Sequence, residues 1–270
     1  MHTSTIRLIG IDVDGTLVGT GGIIHPRVWK AVSQARERGI HLALCSGRPA
    51  FGIALEYARC LEGTGWHVFQ NGASILNLAT SKSRSVPIPI HWVKTVIEKA
   101  RRTGDILELY SDTEYVVESA HRWSKEHADL LGVPFEPHSL ESLAQPVVRA
   151  QWLLSRERAA EFTALPHPGL EVAQSSSPLM PDTQFVGLTH EGVTKGTAMR
   201  SIAKEYGVPL QNVMYVGDAG NDLSALRVVG HPVAMGNADP EVKAAAKHTV
   251  DHVDRGGLAE ALELAVASQR

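Results

Sequence analysis

The chain has 270 residues, of which 43% are hydrophobic, so it is long enough to bury one large core or two smaller ones. Its formal net charge of -3, from 26 basic and 29 acidic residues, argues against a dedicated nucleic-acid-binding protein. Because there are only two cysteines, Cys45 and Cys60, we expect no disulfide framework and a reducing, cytoplasmic location. The N-terminal segment MHTSTIRLIGIDVDG lacks a secretory signal pattern, and no run approaches the roughly 20 apolar residues of a membrane span.

The N-terminal part of the chain alternates short apolar runs with segments of helical periodicity. The runs IRLIGID (6–12), IHLALCS (40–46) and HVFQNGA (67–73) are typical of buried strands. The segments between them, PRVWKAVSQARERG (26–39) and FGIALEYARCLEG (51–63), have the spacing of amphipathic helices. This alternation predicts a parallel sheet flanked by helices.

The pattern changes between residues 83 and 188, after the proline-rich segment SRSVPIPIHW. ILELYSDTEYVVE (106–118) predicts a hairpin, with Tyr110 and Tyr115 on either side of its turn. Two further strands and a helix follow, in the segments VVRAQWLLS (147–155), TQFVGLTH (183–190) and RERAAEFTAL (156–165). We therefore expect a separate α+β domain in this part of the chain.

The alternation of helices and strands returns after residue 188. The predicted helices and strands are KGTAMRSIAKEYG (195–207), VMYVGD (213–218), NDLSALRVVG (221–230), HPVAMG (231–236), DPEVKAAAKH (239–248) and GGLAEALELAVASQ (256–269). The sequence thus predicts a discontinuous α/β core domain of residues 1–82 and 189–270, into which residues 83–188 are inserted as a second domain.

Polar residues follow the predicted core strands directly, and the carboxyl ends of parallel strands are where such sheets bind ligands. The first strand is followed by Asp12 and Asp14, with Gly15 allowing a sharp turn and Thr16 adding a hydroxyl. The second ends in CSGRP, which places Ser46 and the backbone of Gly47 at the same edge. A buried carboxylate without a partner is costly, so a cation, hydrogen bonds or solvent must meet the two aspartates.

The C-terminal part of the core contributes a lysine and three more polar residues. Lys195 begins a predicted helix, where its charge opposes the helix dipole, so helix stability does not explain it. Asp218 ends a strand, and Asn221 and Asp222 begin the helix that follows. Carboxylate oxygens suit a hard cation such as Mg²⁺, whereas lysine, hydroxyl and amide groups suit phosphate. Phosphoryl transfer needs little beyond such positioning and charge neutralisation.

The four segments DVDGT, SGR, TKG and GDAGND, in this order and with an insert between the second and the third, resemble the four motifs of haloacid dehalogenase-like phosphatases. The insert follows the third core strand, as in the Cof-type branch with a class IIB cap. The segments QNGA and AMGNADPEVKAAA extend the resemblance over essentially the whole core. The resemblance implies a Rossmann-like core with an inserted α/β cap, and a Mg²⁺-dependent phosphatase.

The resemblance also implies roles for individual residues. Asp12 would be the nucleophile and a metal ligand, and Asp14 the general acid and base, with its backbone carbonyl on the metal. Asp218 would complete the metal ligands, Ser46 would bond the phosphoryl group, and Lys195 would neutralise it.

Four further residues have supporting roles in this interpretation. Gly47 and Asn221 would help to bind phosphate or substrate, while Thr16 and Asp222 would support the site. Whether Asn221 and Asp222 touch the ligands directly is left open by the sequence. Cys45, three residues before Arg48, is too close to it for a cysteine-phosphatase loop and is interpreted as a buried strand residue.

The sequence therefore predicts a phosphomonoesterase that hydrolyses a small phosphorylated metabolite, such as a sugar phosphate, through an aspartyl-phosphate. One alternative is a phosphomutase or phosphotransferase that uses the same phosphoenzyme. A signalling phospho-acceptor and a non-catalytic binding protein are alternatives from other classes. Neither nucleic acid nor membrane is an expected partner, and the chain is expected to be a monomer or a homodimer.

Overall fold

The structure is a computed structural model that describes residues 5–177 and 179–269. The first four residues of the segment interpreted as lacking a signal pattern lie outside these described residues. Each helix of the described part is too short or too polar to cross a bilayer.

The helices and strands follow the chain in three groups. The first group is β1 (Leu8–Ile11), α1 (Arg27–Glu37), β2 (His41–Leu44), α2 (Gly52–Glu62), β3 (Trp66–Phe69) and β4 (Ser74–Asn77). The second group is α3 (Ile90–Thr103), β5 (Ile106–Tyr110), β6 (Tyr115–Val117), α4 (Arg122–Leu131), β7 (Arg149–Leu154), α5 (Arg156–Thr163), β8 (Leu170–Ser177) and β9 (Met180–His190). The third group is α6 (Lys195–Glu205), β10 (Val213–Gly217), α7 (Leu223–Leu226), β11 (His231–Ala234), α8 (Pro240–Ala245), β12 (His248–Thr249) and α9 (Gly257–Ala267).

The described chain forms two compact units. The first unit contains the residues up to Gly47, Tyr57–Arg84 and those from Thr194 onwards. The second unit contains Arg48–Glu56 and Ser85–Val193.

The first unit is built on a parallel sheet with the strand order β12-β11-β10-β1-β2. Ile11, the last residue of β1, is paired with Leu44 of β2 on one side and with Val216 of β10 on the other. Because the strands are parallel and in this register, the residues that follow them meet at one edge of the sheet. This confirms the predicted α/β core and places Asp12 beside the end of β10.

The second unit contains a five-stranded antiparallel sheet with the order β6-β5-β7-β9-β8. The predicted hairpin is confirmed, with Tyr110 paired to Tyr115. Alternate residues of the strands face opposite sides of the sheet. Side chains of α3 and α5 pack with Trp152 on one face, and side chains of α4 pack with Phe185 on the other. This is the α+β arrangement that was expected for the insert.

The unit bounds differ from the predicted domain bounds. In the chain, the units meet at 84/85 and 193/194, whereas the predicted domains meet at 82/83 and 188/189. The second boundary lies later than predicted because β9 continues to His190, which pairs with Leu170. Residues 48–56, which the sequence places in the core, group with the second unit. There Phe51 stacks on Tyr110 and Tyr115, with ring centroids 6.3 and 5.9 Å apart.

The third predicted strand ends earlier than the sequence suggests. HVFQNGA predicts a strand as far as Ala73, but β3 ends at Phe69 and a 3-10 turn occupies Gln70–Gly72. The chain leaves the strand because the amide N–H of Asn71 turns back to donate to the carbonyl oxygen of Ser46, 2.9 Å away.

His67 ties β3 to β2 just before the turn that carries Ser46. Its Nδ1 accepts a hydrogen bond from the backbone N–H of Leu44 at 3.0 Å, so its Nε2 carries the proton that is donated to the carbonyl oxygen of Glu62 at 2.8 Å. The ring is completely buried, and this burial lowers the pKa of His67 to about 4. The imidazole is therefore neutral at physiological pH.

This buried imidazole predicts a pH dependence of stability. The folded protein binds fewer protons at His67 than the unfolded chain between pH 6.5 and 4, so the free energy of unfolding falls as the pH falls through this window. The contribution is about 3 kcal/mol. His67→Asn should therefore show a flatter decrease than the wild type when urea unfolding is measured from pH 7 to 4. The exposed His138→Asn should follow the wild type, and equal slopes for all three proteins would contradict the assignment.

Candidate active site

A buried ion triad lies at the edge where the carboxyl ends of β1 and β10 meet. The Nζ of Lys195 lies 2.5 Å from Oδ1 of Asp12 and 2.7 Å from Oδ1 of Asp222. Lys195 and Asp222 are fully buried, and Asp12 is only 6% exposed. Although burial alone would lower the pKa of Lys195, the two carboxylates raise it, so the ammonium is charged. The prediction that Lys195 is not an ordinary surface lysine is therefore confirmed by its burial.

The start of α6 explains how a lysine is held at a helix N-terminus. Thr194 caps the helix by accepting a hydrogen bond from the N–H of Thr197, whose hydroxyl accepts one from the N–H of Thr194. This reciprocal capping fixes the first helical residue as Lys195. The unfavourable helix dipole acting on Lys195 is offset by the two carboxylates that it contacts.

Asp222 is saturated with hydrogen-bond donors. Oδ1 accepts from Lys195 and from the hydroxyl of Tyr215, the latter at 2.6 Å. Oδ2 accepts from the backbone N–H groups of Asp218 and Ala219, at 3.0 and 3.1 Å. A carboxylate offers about four lone-pair sites, all of which these donors occupy. Asp222 thus holds Lys195 and shapes the turn that carries Asp218.

Asp218 is positioned by the turn that follows β1. The hydroxyl of Thr16 donates to its Oδ1 at 3.0 Å. Gly15 has φ +87° and lies so close that a Cβ there would fall 2.1 Å from Oδ2 of Asp218. Only glycine fits this position, because both the backbone conformation and the available space exclude a side chain.

Asn237 is a site residue to which sequence reasoning gave no role. Its Nδ2 donates to the carbonyl oxygen of Gly15 at 2.7 Å and lies 3.4 Å from Oδ2 of Asp218, while its Oδ1 accepts from the N–H of Val253. The available signal was its place in AMGNADPEVKAAA, one of the segments that carry the family resemblance.

Three carboxylates lie close together, and two of them, Asp12 and Asp218, can bind a cation, since the oxygens of Asp222 are saturated. One ligand oxygen from each of Asp12, Asp218 and Asp222 lies within 4.8 Å of the others. With the single ammonium of Lys195, three ionised carboxylates leave a charge of -2. Asp14, which the resemblance places in the metal set through its backbone carbonyl, has an exposed side chain on the turn after β1, and its carboxylate is not part of this group.

The pKa values of the cluster reflect this excess of negative charge. Burial raises the pKa of Asp12, and the charge of Asp222 raises it further, against the opposing effect of Lys195. Burial and Asp222 also raise the pKa of Asp218, to about 6. Carboxylates that are this crowded favour a divalent cation, and their oxygens are the ligands that hard cations such as Mg²⁺ prefer.

Ser46, Gly47 and Asn221 are brought together by a residue that the sequence did not assign. Ser46 is buried, and its N–H donates to the carbonyl oxygen of Val68. Asn71 accepts a hydrogen bond from Nδ2 of Asn221 at 3.1 Å, and its side chain lies against Gly47. The second and fourth motifs therefore meet through Asn71, whose only sequence signal was the segment QNGA.

Cys45 is buried, as the sequence predicts, but it lies one residue beyond the end of β2 and forms an isolated bridge with Val68. Its side chain is buried, and its Sγ lies 3.3 Å from Sδ of Met199. Burial raises the pKa of the thiol well above its ordinary value, which disfavours the thiolate that a cysteine phosphatase requires.

Comparison with known proteins identifies the family. Residues 9–262 match the haloacid dehalogenase-like hydrolases. The chain belongs to this family. It is similar to the phosphoglycolate phosphatase of Methanothrix thermoacetophila, with 36% identity over 96% of each chain. It is also similar to the 5-amino-6-(5-phospho-D-ribitylamino)uracil phosphatase YcsE of Bacillus subtilis, with 26% identity over 95% of this chain and 94% of the relative.

A solved structure described as a sugar phosphatase of haloacid dehalogenase subclass IIB has the same fold. It covers 96% of this chain and 98% of its own, with a TM-score of 0.80 and 25% identity. The protein is thus a haloacid dehalogenase-type phosphatase of the Cof type, with a parallel-sheet core and a class IIB cap. Hydrolases of this family generally use a divalent metal, which agrees with the carboxylate group described above.

The raised pKa of Asp218 predicts a link between cation binding and pH. Its folded pKa of about 6 exceeds the ordinary 3.8, so the cation-free protein loses stability as the pH rises through this window. A bound cation removes the repulsion, so the increase in melting temperature on adding Mg²⁺ or Mn²⁺ should be larger at pH 8 than at pH 5. Asp218→Asn should abolish most of this pH dependence. An increase that is equal at both pH values would contradict the cluster as the binding site.

Proposed function

We propose that this phosphatase hydrolyses a small phosphorylated metabolite, a sugar phosphate or a similar organophosphate, with Mg²⁺ and through an aspartyl-phosphate on Asp12. The observation that carries the proposal is the contact of Asp12 with a buried ammonium beside a second carboxylate, Asp218, at a strand end. A carboxylate that is oriented and partly neutralised in this way is suited to attack phosphorus.

The names of the relatives support a small substrate. They describe phosphatases of phosphoglycolate, of a phosphoribitylamino-uracil and of sugars. These molecules differ widely apart from the phosphate, so the shared part of the site should recognise the phosphoryl group. In our proposal Ser46, Gly47, Lys195 and Asn221 do so.

The metal would be held by oxygen ligands from the two strand ends. Asp12 and Asp218 would supply carboxylates, and Asp14 its backbone carbonyl. Asp222 holds Lys195 in place, and Thr16 holds Asp218 in place. When bound, Mg²⁺ supplies positive charge that stabilises the phosphoryl oxygens during transfer.

In the first step the carboxylate of Asp12 forms a bond to phosphorus, and the ester bond between phosphorus and the substrate oxygen breaks. The leaving oxygen takes a proton from the carboxyl group of Asp14, whose side chain is exposed on the turn that follows β1. Lys195 balances negative charge next to the attacking carboxylate. The products are an aspartyl-phosphate and an alcohol.

In the second step Asp14, now ionised, takes a proton from water. The resulting oxygen attacks phosphorus and the bond to Asp12 breaks, which releases inorganic phosphate and regenerates the carboxylate. The same residue acts as acid and then as base, as proton balance over the cycle requires. A phosphomutase would return the phosphoryl group to a sugar hydroxyl instead, and the ratio of free phosphate to isomerised hexose phosphate distinguishes the two reactions.

The division of labour between the two aspartates is testable with isosteric variants. Asp12→Asn should abolish the trapped phosphoenzyme and its turnover. Asp14→Asn should retain the nucleophile and lose proton transfer, which contributes about 10²–10⁴-fold. Its defect in forming the phosphoenzyme should be smaller with p-nitrophenyl phosphate than with an alkyl phosphate, because nitrophenolate leaves without protonation. Rapid-quench labelling with both substrates measures this difference.

The control for removing a carboxylate is the exposed Asp182→Asn in the second unit, which should behave as the wild type. Equal losses with both substrates would remove Asp14 from the acid role. Phosphoenzyme formation by Asp12→Asn would overturn the proposed nucleophile. Wild-type turnover after complete chelation would remove the metal from the proposal.

A further inference from the structure

The turn Gln70–Gly72, which follows β3, has an unusual backbone. All three residues have positive φ, at 52°, 56° and 108°. Such conformations cost side-chain-bearing residues of order 1–3 kcal/mol each and persist only when surrounding contacts enforce them. Asparagine tolerates this region better than most residues, but glutamine does not. Contacts around the turn must therefore hold it in place.

Those contacts reach three of the four catalytic motifs. The N–H of Asn71 donates to the carbonyl oxygen of Ser46, and its side chain packs so closely on Gly47 that a Cβ there would lie 3.2 Å from Oδ1. Gly72 approaches Thr194, the residue before Lys195, so closely that a Cβ would lie 2.4 Å from its carbonyl oxygen. Asn221 supplies the third contact, through Asn71 Oδ1.

The side-chain amide of Asn71 is only half used by these contacts. Its Oδ1 accepts from Asn221, whereas its Nδ2 has no hydrogen-bond partner among residues 5–177 and 179–269. A Cβ at Gly47 would lie 3.3 Å from Nδ2, so the two available N–H donors lie beside the loop of Ser46 and Gly47. The residue is half-buried and so is accessible to a small ligand.

We propose that Asn71 is a further phosphate-binding residue, whose Nδ2 donates a hydrogen bond to an oxygen of the phosphoryl group held by Ser46 and Gly47. This inference rests on the proposed function, because it presupposes that this loop binds phosphate. Asn221 orients the amide by donating to Oδ1, which leaves Nδ2, also next to Gly47, to donate to the ligand. The strained turn fixes the backbone from which the side chain projects.

Asn71→Gly tests the donor without straining the backbone. Glycine adopts positive φ freely, so the turn and the N–H bond to Ser46 should persist while the amide is removed. Because the lost hydrogen bond is to a charged phosphoryl group, we expect kcat/KM for p-nitrophenyl phosphate to fall by about 10- to 100-fold. The inhibition constant of inorganic phosphate should rise by a similar factor. The Mg²⁺ concentration for half-maximal activation should not change, because Asn71 does not touch the carboxylate group.

Two further variants separate the donor from a structural link. Asn71→Asp keeps an acceptor for Asn221 but has no donor at neutral pH, so it should be at least as impaired as Asn71→Gly. Ser81→Gly relieves the same kind of strain, φ +54°, at an exposed position and should retain wild-type kinetics. Melting temperatures check that all three variants are folded.

Three outcomes would overturn the proposal. The first is an inhibition constant of inorganic phosphate in Asn71→Gly that equals the wild-type value. The second is a wild-type kcat/KM in Asn71→Asp. The third is a loss of Mg²⁺ activation in Asn71→Gly that is as large as its loss of phosphate binding. Asp12→Asn assayed in parallel keeps the two proposals apart. If Asp12→Asn is inactive while Asn71→Gly is normal, only the role of Asn71 fails. If Asp12→Asn retains full activity, the proposed function fails.

Discussion

The site depends on one buried ammonium shared by two carboxylates. Taking Lys195, Asp12 and Asp222 out of water costs several kcal/mol for each ion, and their mutual contacts offset this only while all three are present. Removing one partner of a buried pair typically costs about 3–5 kcal/mol. The triad therefore contributes little net stability to the fold, which agrees with our proposal that Asp12 is a charged nucleophile held away from bulk water.

The rest of the core can be understood as the support for this triad. Parallel pairing of β1 with β10 brings Asp12 and the Asp218–Asp222 turn to the same sheet edge. The threonine capping box at the start of α6 delivers Lys195 to them. Tyr215 and two backbone N–H groups donate hydrogen bonds to Asp222 and so hold its carboxylate in contact with Lys195. When Asp218 is counted with the triad, three ionised carboxylates and one ammonium leave a net charge of -2, which is suited to a divalent cation.

The sequence predicted the parts of the site that interrupt a hydrophobic pattern. Asp12, Ser46 and Asp218 follow apolar runs, and Lys195 stands where a helix dipole disfavours it, so each is conspicuous. Asn71 and Asn237 are not conspicuous, because Asn71 lies in a left-handed turn that has no periodic signature and Asn237 contacts the backbone of Gly15. For the same reason the sequence extended β3 into this turn.

Other features of the fold were missed for different physical reasons. β8 is largely exposed at the edge of its sheet and polar in sequence, so it lacks the apolar alternation of a half-buried strand. Residues 48–56 group with the second unit, in which Phe51 stacks on rings about sixty positions later in the chain, and local sequence patterns do not report such contacts. Helices with a clear apolar face, such as α1, and strands of the buried core were predicted to within a few residues.

The most direct test of this account is the rate of phosphoenzyme formation in Asp222→Asn, measured by rapid quench with labelled substrate. This variant keeps the proposed nucleophile Asp12 and all the proposed phosphate donors, but removes the carboxylate that holds Lys195. If the triad orients and neutralises Asp12, formation should slow by at least about tenfold in protein shown to be folded, whereas Asp182→Asn should match the wild type. Formation at the wild-type rate in Asp222→Asn would contradict the dependence of the site on the shared ammonium.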